Sequence, residues 1–249
     1  MNDKPSVLRE TDEQARTEAR TLMRGARFCA LAVIDPETGF PAATRVLTAT
    51  APDGAPVILV SSLSHHTRAL EKDPRCSLLA GEPGKGDPLA HPRLSLQAKA
   101  RRVERSEPLH QWLRGRFLRR HPKSALYIDF DDFRFVKLDP VRANLNGGFG
   151  KAYVMGGKDL VIDHPETEQL AAREPEILGS LATFDHNLAS EVAKNFFRQT
   201  GDDWVISAID MGGIDILSKN ILLRLEVPFE EVNVTHMVSD IRKVACSIP

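Results

Sequence analysis

The sequence predicts an α+β fold, in which a six-stranded antiparallel β-barrel is followed by a small α-β-β-β-α domain. Three observations predict it. Short apolar or alternating runs recur at regular spacing over the first 150 or so residues, with turn residues between them. The composition then changes near residue 165. Beyond that point, a long helical pattern, three further strand-like runs and a last helix predict a sheet covered on one face.

The barrel part begins with a charged, helix-favouring segment at 11–24, with Thr11 or Asp12 as its cap and Gly25 at its end. Six strand-like runs follow, at 28–34, 41–50, 56–62, 76–81, 94–105 and 133–146. The first three, joined by short turns, predict an antiparallel meander. Two helices are predicted between the strands. One spans 64–73 and is capped by Ser64; the other begins after a cap at Ser106 and runs to about Arg120.

The C-terminal part opens with one long helical pattern from Pro175 to about Thr200. Its apolar residues recur at about 100° per residue, and they are Ile177, Leu181, Phe184, Leu188, Val192 and Phe196. Three strands are predicted at 204–210, 213–218 and 221–227. A final helix is predicted from a cap at Thr235 to about Ser247.

Composition excludes several classes of protein. The net charge of -1 and the pI near 6.7 argue against a nucleic-acid binder, whose phosphate contacts need a cationic surface. The arginines Arg114, Arg116, Arg119 and Arg120 indicate a solvated helix face. Three widely spaced cysteines form neither a disulfide framework nor a zinc motif. Without a leader or a membrane-spanning run, the expected location is the cytoplasm.

The clearest candidate for chemistry is the junction between the third strand and the following helix. A helix N-terminus offers unpaired backbone N–H groups, and Ser61, Ser62, Thr67 and Arg68 lie beside it. Hydroxyl donors and a guanidinium suit a phosphate. Arg45, on the neighbouring strand, could converge on the same anion. The alternative is an ordinary capped helix with an exposed Arg68.

Gln97 is a second candidate, because it lies in an alternating strand opposite the apolar positions. It shares its face with Ser95 and Lys99. Its amide could donate and accept hydrogen bonds at the edge of a flat heterocycle. The alternative is a polar position that faces solvent.

Several motifs in order resemble those of a known family; they are ATRVLT at 43–48, SSLSHHTRALEKDPRCSLL at 61–79, DPLAHPRLSLQAKARRVE at 87–104 and GGFGKAY at 147–153. They resemble the FMN-binding split barrel of the pyridoxamine 5'-phosphate oxidase-like superfamily, and within it the HugZ-type haem-utilisation proteins. The resemblance implies an FMN-binding split-barrel domain at 11–160. The segment 165–249 resembles the small, uncharacterised domain often fused to such barrels.

The resemblance also implies a homodimer with FMN at the subunit interface. Arg45, Thr67 and Arg68 would hold the FMN phosphate. The backbone around the isoalloxazine would be that of Val46, Leu47, Thr48, Ser61 and Ser62. Gln97 would reach its polar edge from the partner subunit. The chain departs from its relatives at Ala69, where an asparagine is more common.

Haem is the other ligand that the resemblance implies, bound or degraded at the dimer cleft. A histidine would be the natural axial ligand. The long helix of relatives carries a His-Met-Asn-x-Asp-His motif, of which LATFDH at 181–186 keeps only the last two residues. His186 and His164 are the weak candidates for a haem ligand. His65, His66 and His236 are expected to be structural or exposed.

Three functions remain open at this stage. The first is flavin-dependent redox chemistry on an unknown small substrate. The second is haem binding or degradation of the HugZ type. The third is a regulatory or binding role without catalysis. Neither nucleic acid nor a membrane is an expected partner. No catalytic residue is assigned, because no nucleophile elbow, HExxH motif or P-loop is present.

Overall fold

The computed structural model describes residues 8–148 and 151–246. The helices are α1 (Glu13–Gly25), α2 (His65–Lys72), α3 (Pro108–Arg120), α4 (Thr167–Phe184), α5 (Leu188–Asn195) and α6 (Val234–Cys246). The strands are β1 (Phe28–Ile34), β2 (Pro41–Thr50), β3 (Pro56–Ser61), β4 (Arg75–Ala80), β5 (Arg93–Arg102), β6 (Phe133–Asn146), β7 (Ala152–Gly156), β8 (Val205–Asp210), β9 (Gly213–Ser218) and β10 (Ile221–Glu226).

The first seven strands form one antiparallel sheet in the order β3-β2-β1-β4-β5-β6-β7. Pairing of β3 with β6 closes the first six strands into a barrel, and β7 continues the sheet beyond it. The predicted six-stranded antiparallel barrel is therefore confirmed. The strand β7 belongs to the GGFGKAY motif, of which residues 149 and 150 lie outside the described residues.

The barrel is open between β2 and β6, where the pairing partner of β3 changes from β2 to β6. β2 pairs with β3 over Thr48–Thr50, whereas β3 pairs with β6 over Val57–Ser61. The first half of β2 therefore has no β3 partner, and α2 follows directly from the end of β3. Alternating residues of each strand fill the barrel interior, with Leu31 and Leu94 fully buried. Removal of such side chains from water is the main stabilising contribution to a core of this kind.

The C-terminal region contains the predicted three-stranded sheet, in the order β10-β9-β8. All six residues of the central strand β9 are buried. The helices α4, α5 and α6 share one apolar core with this sheet. Helices α1 and α3 of the barrel contact β10 and β8 respectively. The sheet is thus covered by its own helices and by the barrel.

The single long helix predicted over Pro175–Thr200 is wrong. The structure has two helices, α4 and α5, which are separated at Asp185. The backbone of Asp185 leaves the helical region, with ψ at 86°, and its carboxylate accepts from the backbone N–H of Asn187. An aspartate competes with helical hydrogen bonding in this way. The apolar periodicity of the sequence therefore runs through a point where the helix is interrupted.

The barrel and the C-terminal region meet through buried ion pairs. Arg24 Nη1 lies 2.9 Å from Glu226 Oε2, and Arg120 Nη2 lies 2.8 Å from Asp215 Oδ2. Arg24, Arg120 and Asp215 are almost fully buried. Arg116, equally buried, donates to the carbonyl of Ile209 on the edge strand β8.

The prediction of a solvated arginine face on α3 is therefore wrong for half of that cluster. Arg116 and Arg120 are buried against the C-terminal sheet, and Arg119 donates to the carbonyl of Ser207 at 2.7 Å. Arg114 alone is paired at the surface, with Asp129 at 2.6 Å. The predicted cap at Ser106 also differs, since α3 begins with Pro108 directly after Glu107.

Within residues 8–148 and 151–246, the structure has no helix that is both long enough and apolar enough to cross a membrane.

Candidate functional site

One face of the barrel is built from the outward-pointing residues of β2, β1, β4, β5 and the second half of β6; we call it the outer face. The strand segments that form it are 28–34, 41–47, 75–80, 93–99 and 141–146, and none of them contains an aspartate or glutamate. They do contain five cations: Arg45, Arg75, Arg93, Lys99 and Arg142. One acid borders this face: Asp139 of β6 lies opposite Lys99, and its carboxylate is bound by Lys137 at 2.9 Å.

Register places the outward residues of the outer face in rows. Arg45 lies opposite Ala30, which lies opposite Leu79, which lies opposite Ser95. The next row is Ala43, Ala32, Ser77, Gln97 and Arg142. Ala30 in the first row and Ala32 and Ser77 in the second are small. The exposed large apolar side chains of the face are those of Phe28, Leu47, Leu79 and Val141.

Three of the five cations make no ion pair and no hydrogen bond with the described residues. Arg75 is bound by Asp73 at 2.5 Å, and Arg93 donates to the carbonyl of Leu89 at 3.2 Å. Arg45, by contrast, has only a cation–π contact, with its guanidinium carbon 5.4 Å from the centroid of the Phe28 ring. Lys99 and Arg142 complete the three.

An open cleft of about 510 Å³ lies on the outer face, and its wall includes Ala32, Ile34, Pro41, Gln97, Lys99 and Val141. A β-bulge shapes it. The pairing of β5 with β6 shifts register between Gln97 and Ala98, so Val141 has no partner and is half exposed. Gly157 packs directly against the backbone of the bulge. A Cβ at this position would lie 1.9 Å from the carbonyl oxygen of Pro140, so only glycine fits there.

Most hydroxyl groups of the predicted phosphate junction are engaged within the chain. Thr67 Oγ1 donates to the Ser61 carbonyl at 2.7 Å, and Ser61 Oγ donates to Asp132 Oδ2 at 2.6 Å. The backbone N–H of Ser62 donates to the Asp132 carbonyl at 2.7 Å. Arg68 is exposed and has no partner among the described residues. Arg68 and the hydroxyl of Ser62 are the predicted groups of this junction that remain available to an anion among the described residues.

The predicted residues of β2 differ in what they can reach. Val46 is buried, and Leu47 is exposed on the outer face. Thr48 is buried: its Oγ1 donates to the Ala26 carbonyl at 2.7 Å, and its own carbonyl accepts from His121 Nε2 at 2.8 Å. The side chain of Thr48 is therefore engaged with the segment between α1 and β1, and its carbonyl with the residue that follows α3.

Arg45 and Gln97 both point outward but lie on strands three positions apart in the sheet. Neighbouring strands are about 4.8 Å apart, so the two side chains start roughly 14 Å from each other. Within one chain they do not converge on a single small group. Their joint use on one ligand requires either a large flat molecule or a second copy of the chain.

Neither candidate haem ligand lines the cleft. His164 Nδ1 accepts from the backbone N–H of Glu166 at 3.1 Å, and His186 is exposed near the break between α4 and α5. His65 Nε2 lies 3.2 Å from Asp35 Oδ2, next to the end of β1. Burial, with the charge of His65 as a smaller cause, lowers the pKa of His66. The described residues hold no group of three His, Cys, Asp or Glu arranged for a metal ion.

Sequence reasoning placed Lys99 on the face of Gln97 without assigning it a role, and it missed Arg142 and the scarcity of acids around both cations. The signal was present, because alternation in β5 and β6 already placed both on the side of Gln97. What the sequence did not reveal is the order of the strands, which brings five non-acidic segments onto one face.

Known proteins similar to this chain share the barrel and, in some cases, the whole fold. A curated relative, the "Non-canonical heme oxygenase HOZ, chloroplastic" of Arabidopsis thaliana, is 32% identical over 142 residues. The alignment covers 57% of this chain but only 43% of that protein.

Two solved structures match nearly the full length. Protein Atu2129 of Agrobacterium tumefaciens, of unknown function, is 28% identical, with a TM-score of 0.78 and 96% of each chain covered. The heme binding protein of Mycobacterium smegmatis is 25% identical, with a TM-score of 0.55 and coverage of 95% of this chain and 98% of the other. The family described as "Pyridoxamine 5'-phosphate oxidase" matches residues 15–147, more than half of the chain. The chain therefore belongs to the pyridoxamine 5'-phosphate oxidase family, in agreement with its resemblance to HugZ-type split-barrel proteins.

Proposed function

We propose that this chain binds haem against the outer face of its barrel, between two copies of the chain. The observation that carries the proposal is the charge of this face. Three of its cations have no ion pair with the described residues, and its strand segments contain no acid, while the bordering Asp139 is bound by Lys137 at 2.9 Å. Haem is a large, flat, mostly apolar ring with two carboxylates. A face of that size and charge suits it better than a small neutral molecule.

The apolar part of the face suits the ring. Phe28, Leu47 and Leu79 are between 37% and 46% exposed, and Phe28 lies directly opposite Leu47, so the face carries a group of exposed apolar side chains. The alanines between them leave the surface flat, so that a planar molecule can approach the strands. Covering these side chains would remove apolar area from water, at about 25 cal/mol per Å².

Two relatives bearing haem in their names support the same proposal, one called a heme oxygenase and one a heme binding protein. Bound haem would supply iron chemistry that a porphyrin-binding barrel lacks by itself. The residues of this chain would bind the ring, orient its carboxylates and exclude water from one side. The first experiment distinguishes a protein that stores the bound ring from one that degrades it.

The experiment is a titration of the purified protein with haem, followed by its absorption spectrum. We expect a sharpened Soret band that saturates at a fixed ratio of haem to chain. Addition of ascorbate in air then distinguishes degradation, in which the band is lost, from storage, in which it persists. The variant Lys99→Gln with Arg142→Gln should weaken binding. Lys194→Gln, an exposed lysine of α5, is the matched control and should not.

FMN is the second candidate ligand, and Arg68 is the observation that favours it. This guanidinium is exposed at the start of α2 and has no partner, as a phosphate-binding group would require. Quenching of FMN fluorescence on titration tests the hypothesis. Loss of FMN binding in Arg68→Ala with haem binding unchanged would indicate two separate ligands. A protein that binds neither would support a regulatory role instead.

A further inference from the structure

The outer face offers no side chain that ligates iron. Its outward positions carry apolar, amide, hydroxyl and cationic side chains, with no histidine, methionine or tyrosine among the strand segments that form it. Its two cysteines, Cys29 and Cys76, point inward and are 4% and 7% exposed. Burial raises the pKa of Cys29 to about 11 and that of Cys76 to about 12, so both remain thiols at neutral pH.

A histidine, His65, lies near the rim of this face, and one of its two ring nitrogens is close to a carboxylate. His65 follows the cap of α2, and its Nε2 lies 3.2 Å from Asp35 Oδ2. Asp35 immediately follows Ile34, which lines the cleft. The carboxylate occupies only Nε2 of this imidazole, so Nδ1 stays available to a metal, as in histidine ligands that are oriented by a carboxylate. His65 is therefore the competing candidate for an iron ligand.

The cations of the outer face are placed to bind two carboxylates. Gln97 lies directly opposite Arg142 in the pairing of β5 with β6, and Lys99 is the next outward residue along β5. Side chains at such positions are neighbours on one face of a sheet. Gln97 thus lies beside two cations that have no ion pair with the described residues, and its amide can donate to the same carboxylate oxygens. Asp139, which lies opposite Lys99, is itself bound by Lys137 at 2.9 Å. Leu79 and Ala30 lie in the neighbouring row of the face, beside this group.

We infer that the outer face recognises the carboxylates and the flat ring of a porphyrin rather than its iron, with Lys99, Gln97 and Arg142 holding the carboxylates. The inference rests on the proposed function, which it makes more specific. It implies that a porphyrin without any metal is also a ligand. The chemical class bound at this site is therefore a tetrapyrrole dicarboxylate, of which haem is one member.

Three porphyrins test the inference on the full-length protein. Metal-free protoporphyrin IX, followed by its fluorescence, should bind with a dissociation constant within about threefold of that of haem. Its dimethyl ester, which lacks both charges, should bind at least about tenfold more weakly. The variant Lys99→Gln with Arg142→Gln should weaken haem and metal-free porphyrin by the same factor. His65→Ala and Lys194→Gln should change neither.

Other results would overturn the inference. If haem binds about thirtyfold more tightly than metal-free porphyrin and His65→Ala removes that difference, the iron is ligated and the inference is wrong, although the proposed function stands. If the ester binds as tightly as the acid, the carboxylates are not recognised and the inference is again wrong. If neither haem nor porphyrin binds, the proposed function itself fails.

Discussion

Arg116 of α3 and Glu174 of α4 form a buried ion pair, 3.0 Å long, in which each side chain is 2% exposed. The second oxygen of Glu174 pairs with Arg119 at 2.5 Å. The first also accepts from the backbone N–H of Ile209 at 3.1 Å. One carboxylate thus connects a barrel helix, a C-terminal helix and the edge of the C-terminal sheet, so the two parts of the chain share buried charges.

Replacing Glu174 by alanine should strongly destabilise the whole chain. It would leave the buried Arg116 guanidinium without its carboxylate and the N–H of Ile209 without an acceptor. Breaking a buried pair from one side typically costs about 3–5 kcal/mol in free energy of unfolding. The measurement is urea unfolding followed by circular dichroism, which reports the change in that free energy.

Two control variants make the result interpretable. Glu174→Gln keeps an acceptor for Ile209 and should cost less than the alanine variant. Glu176→Ala removes a carboxylate from the same helix, whose partner Arg173 is at the surface, and should leave the unfolding midpoint unchanged. Equal midpoints for Glu174→Ala and Glu176→Ala would show that the buried pair contributes nothing.

His121 should make the protein less stable in mild acid. Burial, opposed by the hydrogen bond to the Thr48 carbonyl, lowers the pKa of His121 to about 4. The unfolded chain binds this proton near pH 6.5, so the contribution of a neutral His121 is fully present above pH 6.5 and is lost as the pH falls to about 4. The loss amounts to about 3 kcal/mol.

Thermal unfolding between pH 7 and pH 4 tests this prediction. His121→Gln can still donate to the Thr48 carbonyl but does not titrate, so its melting temperature should fall less steeply with pH than that of the parent chain. His236→Gln, at an exposed position, is the matched control and should follow the parent chain. Parallel curves for His121→Gln and the parent chain would contradict the prediction.

Much of the fold could be predicted because single strands and helices carry their own periodicity. Alternation in residues 94–102 and the apolar run of 28–34 suffice to define β5 and β1. The break at Asp185 could not be predicted in the same way, because the apolar stripe of α4 continues in phase into α5. A capping interaction of one aspartate outweighs that periodicity locally.

The candidate site was predictable only in part. The positions of Arg45 and Gln97 on an outward face follow from alternation along their own strands. The engagement of Thr67 with the Ser61 carbonyl does not, since it depends on how β3 turns into α2. The burial of Arg116 and Arg120 depends on where the C-terminal sheet packs. A helix with many arginines has the same sequence pattern whether it faces solvent or a carboxylate.

Gly157→Ala should impair porphyrin binding by displacing the bulge beside the cleft. A Cβ at this position would lie 1.9 Å from the carbonyl oxygen of Pro140 and 3.1 Å from the backbone nitrogen of Val141. Backbone atoms cannot yield as a flexible side chain does, so β6 must shift where Val141 and Arg142 border the site. We expect a weaker haem affinity together with a lower melting temperature.

Gly156→Ala is the matched control, because its nearest neighbour would be Asp159 Oδ2 at an ordinary 3.7 Å. It should retain the affinity of the parent chain. An unchanged affinity in Gly157→Ala, measured on folded protein, would show that the bulge does not shape the binding site.

Dimerisation through the outer face should become stronger as salt is added. Two copies that meet through this face bring their cations Arg45, Lys99 and Arg142 together. The strand segments of the face contain no acid, and the bordering Asp139 is already bound by Lys137. Like charges at an interface disfavour association, and salt screens them over a Debye length of about 10 Å at 0.1 M. The dissociation constant of the dimer, measured by sedimentation, should therefore fall between about 50 mM and 500 mM sodium chloride.

The same repulsion links the dimer to its ligand. A dicarboxylate bound between the two faces neutralises part of the charge, so haem at low salt should strengthen the dimer as added salt does. The variant Arg45→Gln with Arg142→Gln should dimerise at low salt without either. If the dimer dissociation constant rises with salt, or changes with neither salt nor haem, the interface lies elsewhere on the chain. Only a face dominated by cations repels its own copy in the way described.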